Sequence, residues 1–244
     1  MDTLSAFSII IVAGLIHASF QLSVSMLTLL SSHTIGRQRS AKRLLTLTSS
    51  FVFGVGSMTV LLLCFFAFTA NNLLAYHAIP LEIAWIVVCG GALGLALAVF
   101  LFYYRKESGT TLWVPREMVR FLGRRTKATR HSAEAFSLGA TSVLGEILFI
   151  ALPVAIAALV LIQLPPSAQL IGVGLYTLTS LSSLGIMYIL ISGGHSISKL
   201  QRWREKNKGF LQFAAGAGLL ALGFYVYVDQ VMSVAVMAAE RAVW

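Results

Sequence analysis

Six stretches of this chain, roughly 5–31, 44–70, 79–103, 134–163, 167–193 and 209–229, run nearly uncharged for the ~20 residues a helix needs to cross the hydrocarbon core of a bilayer. That constraint outranks any other in the sequence. The backbone of such segments has no water to bond, so each must close its hydrogen bonds internally, as a helix does. Composition agrees. Residues are 57% hydrophobic and 11% charged, where soluble domains carry about 25% charge. The expected fold class is an all-α integral membrane protein of six transmembrane helices.

The first stretch reads as a transmembrane helix and not as a signal peptide. Only Asp2 precedes it, it is longer than a signal-peptide core, and no small-residue cleavage site ends it. The tail MSVAVMAAERAVW is too short for a seventh crossing and is broken by Glu240 and Arg241. The expected organisation is a first three-helix half at 1–103, a basic loop at 104–133, a second half at 134–229 and a short interfacial tail at 230–244.

Charge orients these spans. The net charge is +9, and all but one of the 18 Lys and Arg residues fall in alternate loops. Arg37, Arg39, Lys42 and Arg43 follow span 1, Arg105 to Arg130 follow span 3, and Lys199 to Lys208 follow span 5. The other loops, NNLLAYHAIPLE and QLPPSAQ, hold none. Basic residues near span ends mark the cytoplasmic side, so both termini are expected outside, in a bacterial cytoplasmic (inner) membrane. The excess positive charge then reports topology and attraction to anionic headgroups, and nucleic acid is not an expected partner. Within the second basic loop, TTLWVPREMVRFLGRRTK has the pattern of an amphipathic interfacial segment, with Trp113, Val114, Met118 and Phe121 on one face.

Internal similarity suggests two halves. GLIHASFQL (14–22) aligns with GATSVLGEI (139–147), pairing Gly14 with Gly139, His17 with Ser142 and Gln21 with Glu146. FVFGVGSM (51–58) resembles FAAGAGLL (213–220), and ALGLALAVF (92–100) loosely resembles SLGIMYILI (183–191). A simple duplication would instead pair span 2 with 5 and span 3 with 6. The 2/6 match has a local cause, a basic loop leading into a Gly-rich span. Alternating charge gives spans 1 and 4 opposite directions, the arrangement of inverted repeats in secondary transporters.

The polar residues inside the spans are few. His17, Gln21, Ser25 and Thr28 share one face of span 1, and Ser142 and Glu146 share one face of span 4 with Thr141 and Gly145 alongside. Placing a carboxyl at a helix centre costs about 2.5–3.5 kcal/mol even on the lenient insertion scale. A Glu that is protonated when empty and ionised when paired with a cation is a natural coupling group. The expected substrate and proton site is therefore Glu146, His17, Gln21, Ser142, Thr141 and Ser25. Gly139, Gly145 and Pro153 are the expected points of helix deformation. The bland reading of the same residues is glue between helices. The Gly, Ser, Thr and Tyr residues of spans 2, 3 and 5, Tyr176 and Ser183 among them, read as close packing. Cys64 and Cys89 read as small core residues.

GLIHASFQL, GATSVLGEI and the ending RWREKNKGFLQFAAGAGLLALGFYV, a basic loop into a Gly-rich last span, give the chain a resemblance to the LysE superfamily of small membrane transporters, which includes carriers of the DsbD and CcdA type. The resemblance implies six helices in two inverted halves and a transport function. It implies no electron transfer, because the first span of each half lacks the cysteine that electron-carrying members use, and Glu146 is followed by Ile-Leu-Phe and not by an acidic ExGD-type motif.

The expected function is a secondary transporter, an exporter of a small solute or cation, proton-coupled through Glu146. The alternative is a non-transporting scaffold or assembly factor of a larger complex. An enzyme is not expected, since HExxH, GxSxG, Walker A and aspartate-dyad signatures are all missing. No cofactor and no metal site is expected. The expected partners are membrane lipids and a small solute or ion, and self-association stays open.

Overall fold

The structure is a computed structural model that describes residues 2–20, 22–35, 41–76, 79–103, 116–193, 199, 202–203 and 206–232. Among these residues all regular structure is helical. In chain order the helices are α1 (Thr3–Ser19), α2 (Leu22–Ile35), α3 (Ala41–Tyr76), α4 (Leu81–Ala98), α5 (Arg116–Ala128), α6 (Ser132–Gly145), α7 (Ile147–Leu161), α8 (Pro166–Ser180), α9 (Ser182–Ser192) and α10 (Lys208–Tyr227). Both α4 and α10 end by widening into a π-turn, at Val99–Tyr103 and Val228–Met232.

Three helices are long and apolar enough to cross a membrane unbroken: Lys42–Tyr76, Leu81–Leu101 and Gly209–Met232. Three more crossings are reached only if bent pairs count as single spans. α1 meets the Val24–Ser31 part of α2 at 47°, α6 meets α7 at 82°, and α8 meets α9 at 52°. By length and composition the described residues therefore hold three to six candidate spans. The exterior agrees with a membrane-embedded protein. Phe53, Phe65, Phe68, Val87, Leu178 and Ile189 all face outward, a surface that a water-soluble monomer rarely presents.

Local chemistry sets the ends. Pro165 and Pro166 lead α8, where a missing amide costs nothing because first-turn amides lack intrahelical acceptors. Glu134 Oε2 accepts from the backbone amides of Arg130 and His131 at 2.6 and 3.2 Å, fixing the corner from α5 into α6. Arg43 on α3 donates to the Arg130 carbonyl at 2.9 Å and ties α3 to that corner. α5 is the expected amphipathic segment in part. Leu122 and Thr126 are buried, while Arg125 lies over the exposed Phe121 ring at 5.6 Å. Trp113 and Val114, and the side chain of Met118, lie outside the described residues.

The core is made by helix pairs packed at small residues. α3 lies along α6, α1 along α8, and α4 along α10, while α7 packs on α1, α3 and α4. At the α3–α6 crossing the two backbones touch. A Cβ on Gly54 would sit 2.0 Å from the Phe136 carbonyl oxygen, and one on Gly139 would sit 2.2 Å from the Phe51 carbonyl oxygen. At the α1–α8 crossing, Gly14 leaves the space that Thr179 Oγ1 fills. Buried hydroxyls mostly bond back to their own helix, as Ser31 does to Leu27, Thr59 to Val55 and Thr126 to Leu122. Two features depart from expectation. Cys89 is buried, but Cys64 lies on the outer face of α3. Trp85 is 1% exposed, and its indole N–H finds no acceptor among the described residues.

Candidate functional site

The three bent helix pairs converge, and their breaks hold one another together. α1 ends at Ser19, and its last carbonyls have no following helical amide to receive. The Phe20 amide turns back to the His17 carbonyl at 3.1 Å. The Ala18 carbonyl is taken by Ser183 Oγ of α9 at 2.8 Å. An orphaned carbonyl in hydrocarbon costs several kcal/mol, so the Ser183 hydroxyl makes a break in α1 tolerable. It does so from just beyond the bend in the α8–α9 pair.

The break in the fourth stretch falls at Gly145–Glu146. Glu146 adopts φ −92° and ψ −3°, ending α6 and opening α7. Its amide donates to the Val143 carbonyl at 3.0 Å, and its carbonyl accepts from Phe149 and Ile150 at 2.9 and 3.2 Å. The bend is thus re-satisfied by tight turns on either side. Glu146 is 3% exposed and Ser142 is fully buried. One turn into α7, the Phe149 ring stacks on Phe20, with centroids 5.1 Å apart and 18° between planes. That stack joins the break after α1 to the break before α7.

His17, also buried, meets the fully buried Tyr176 of α8, with Nδ1 3.0 Å from the phenol oxygen. With Nδ1 unprotonated the phenol donates; with Nδ1 protonated the direction reverses. The described partner of His17 is therefore Tyr176.

Ser142 Oγ donates to the Gly139 carbonyl at 2.7 Å on the buried side of α6. Ser25 is half-buried, and its carbonyl accepts from Thr28 Oγ1 at 2.8 Å. Thr141 bonds back to Ser137 at 2.7 Å and lines a different space, a cavity of about 410 Å³ between α5 and α6 with Phe121, Arg125 and Glu134. Gln21 lies outside the described residues. Of the three expected points of deformation, Gly145 borders the break, Gly139 is the crossing point of an unbroken α6, and Pro153 lies buried inside a continuous α7.

The residues that sequence reasoning set aside as packing, Tyr176 and Ser183, are the ones that bridge α1 to α8 and α9. A tyrosine on the same face as the small residues of α8 was the available signal. Nothing in the local sequence marks Phe20 and Phe149 as a pair. Among the described residues no three His, Cys, Asp or Glu side chains converge on a point where a metal ion could sit. Compared with known proteins, the chain matches no family model, no curated protein and no solved structure.

Proposed function

We propose that this protein is a secondary transporter of a small solute or cation, working as an exporter, in which Glu146 takes up and releases a proton as the three bent spans rearrange. The carrying observation is a buried carboxyl at a helix break, tied by Phe149, Phe20, Ala18 and Ser183 to two further breaks. Broken helices at mid-depth expose backbone groups that can bind solutes or ions, a recurrent solution in transporters. Titratable groups on the helices packed around these breaks include His17, Tyr176 and Tyr188.

An inverted pair of three-helix halves, as the LysE-type resemblance implies, is part of this reading. The same sequence interval separates Gly14 from Gly139, Phe51 from Tyr176 and Gly54 from Thr179. Gly14 packs against Thr179 and the Tyr176 carbonyl, and Gly139 packs against the Phe51 carbonyl. The pairing of α1 with α8 is thus repeated by α6 with α3, which supports a 1/4, 2/5, 3/6 correspondence over the 2/6 similarity. The π-turns closing α4 and α10 support it too. The halves differ in one respect: α3 runs unbroken past Gly56, where its counterpart bends at Leu181. Two conformations of one repeat unit in the same molecule are what alternating access uses.

The test is a proteoliposome assay with a trapped pH dye, in which gradients of alkali cations, divalent cations and amino acids are imposed in turn. At least one gradient is expected to move protons, and Glu146→Gln is expected to abolish that coupled movement. Proton movement in Glu146→Gln with unchanged pH dependence removes the coupling role. The scaffold reading is favoured by one observation: several interior hydroxyls satisfy themselves within their own helix. It predicts no solute-driven proton flux with any gradient.

A further inference from the structure

A cleft of about 730 Å³ opens on the outside of the α3–α6 pair, at the end where both helices begin. Its residues are ordered by polarity along the helices. Lys42, Thr46 and Ser49 lie in the first turns of α3, and Ser132 opens α6. One or two turns deeper come Phe53, 73% exposed, and Phe136, 41% exposed. Arg43, bonded to the Arg130 carbonyl just before the start of α6, stands next to Lys42 in sequence. The polar mouth thus offers the Lys42 ammonium and the Ser132 hydroxyl, with Thr46 Oγ1 donating to the Lys42 carbonyl and Ser49 Oγ paired with the Tyr188 hydroxyl, and the floor continues into the apolar exterior.

We propose that this cleft binds an anionic phospholipid. Its phosphate would sit among Lys42, Thr46 and Ser132, and an acyl chain would run down over Phe53 and Phe136. Charge complementarity sets the headgroup class: the described groups lining the mouth are cationic or hydroxylic, with no carboxylate among them. The exposed aromatic floor selects a lipid over a free phosphate, which gains nothing from two phenyl rings. The cleft also borders the backbone contact of Gly54 with Phe136, so an occupied cleft braces the α3–α6 crossing. The inference stands on the cleft alone and does not depend on transport.

The experiment is native mass spectrometry of the detergent-purified protein, titrated with dioleoyl-phosphatidylglycerol or dioleoyl-phosphatidylcholine. Retention of the anionic lipid is expected to exceed that of the zwitterionic one and to survive excess inorganic phosphate. Lys42→Gln is expected to lower it about fivefold, the equivalent of the roughly 1 kcal/mol one basic residue contributes near an anionic headgroup. Lys42→Arg is expected to retain it, and so is Lys127→Gln, the same charge change on α5. Equal retention of the two lipids, displacement by phosphate, or equal losses in Lys42→Gln and Lys127→Gln would each overturn the site. Lys42 is exposed, so its replacement leaves the fold intact, which a size-exclusion profile checks.

Discussion

Replacing Gly139 by alanine probes one of the close backbone contacts in the bundle. The added methyl would lie 2.2 Å from the Phe51 carbonyl oxygen and 3.1 Å from the Val55 amide nitrogen, whereas real Cβ contacts stay beyond 3.0 Å. The obstacle is backbone, so no side-chain rotation relieves it, and α3 and α6 must separate by most of an ångström. Overpacking of this kind costs about 1–3 kcal/mol. Alanine returns about 0.5–1 kcal/mol through its better helix propensity. Because the whole interface moves, overpacking wins, and the expected net loss is about 1–2 kcal/mol. Gly94→Ala and Gly174→Ala supply the opposite sign. Both glycines are exposed, and an added Cβ meets nothing within 4 Å, so only the propensity gain of about 0.5–1 kcal/mol remains. The assay is thermal unfolding in detergent, followed by loss of the monodisperse size-exclusion peak. If Gly139→Ala melts at or above the parent, or if all three variants shift alike, the crossing is not as close as described.

Four further outcomes are expected. Tyr176→Phe leaves the buried His17 ring without its partner and destabilises by about 1–3 kcal/mol; a cycle with His17→Leu that shows no coupling refutes the pair. Ser183→Ala leaves the Ala18 carbonyl without that donor and costs about 1–3 kcal/mol in the same melting assay. Trp85→Phe removes a buried N–H that has no acceptor among the described residues, so it is expected to cost under about 1 kcal/mol despite the lost volume. In a Cys64→Ser, Cys89→Ala background, a cysteine at Gln163 is expected to react in intact cells with an impermeant maleimide and one at Arg124 is not. The reverse pattern inverts the orientation argued from the basic loops.

Hydropathy makes the long helices legible, because a run of apolar residues with no charge leaves a chain few choices. The bends are another matter. The proline of the fourth stretch attracts attention as a breaker, yet α7 continues through Pro153 and the bend falls at Gly145–Glu146. A proline removes one hydrogen bond from a helix otherwise held by its neighbours. A break needs a neighbour to take up the freed groups, and that neighbour is distant in sequence. Ser183 accounts for the end of α1, and a serine in an apolar helix announces nothing about the carbonyl it will serve. The same limit explains Thr141. Its spacing put it near the face of Glu146, but α5 packs beside it and makes a separate cavity there. Gly14 and Gly139 were legible as aligned positions, and their role as backbone crossings required α8 and α3 in place.

The contact of Gly139 with Phe51 has a mechanical meaning. Seven residues separate Gly139 from Glu146, or about 10.5 Å of rise along a helix axis. With its crossing pinned backbone to backbone, α6 cannot slide on α3 without a steric penalty, but it can tilt. It is then a lever with its fulcrum at a glycine and its load at a carboxyl. A rotation of about 10° swings the far end by nearly 2 Å on that rise, enough to trade one hydrogen-bonding partner for another.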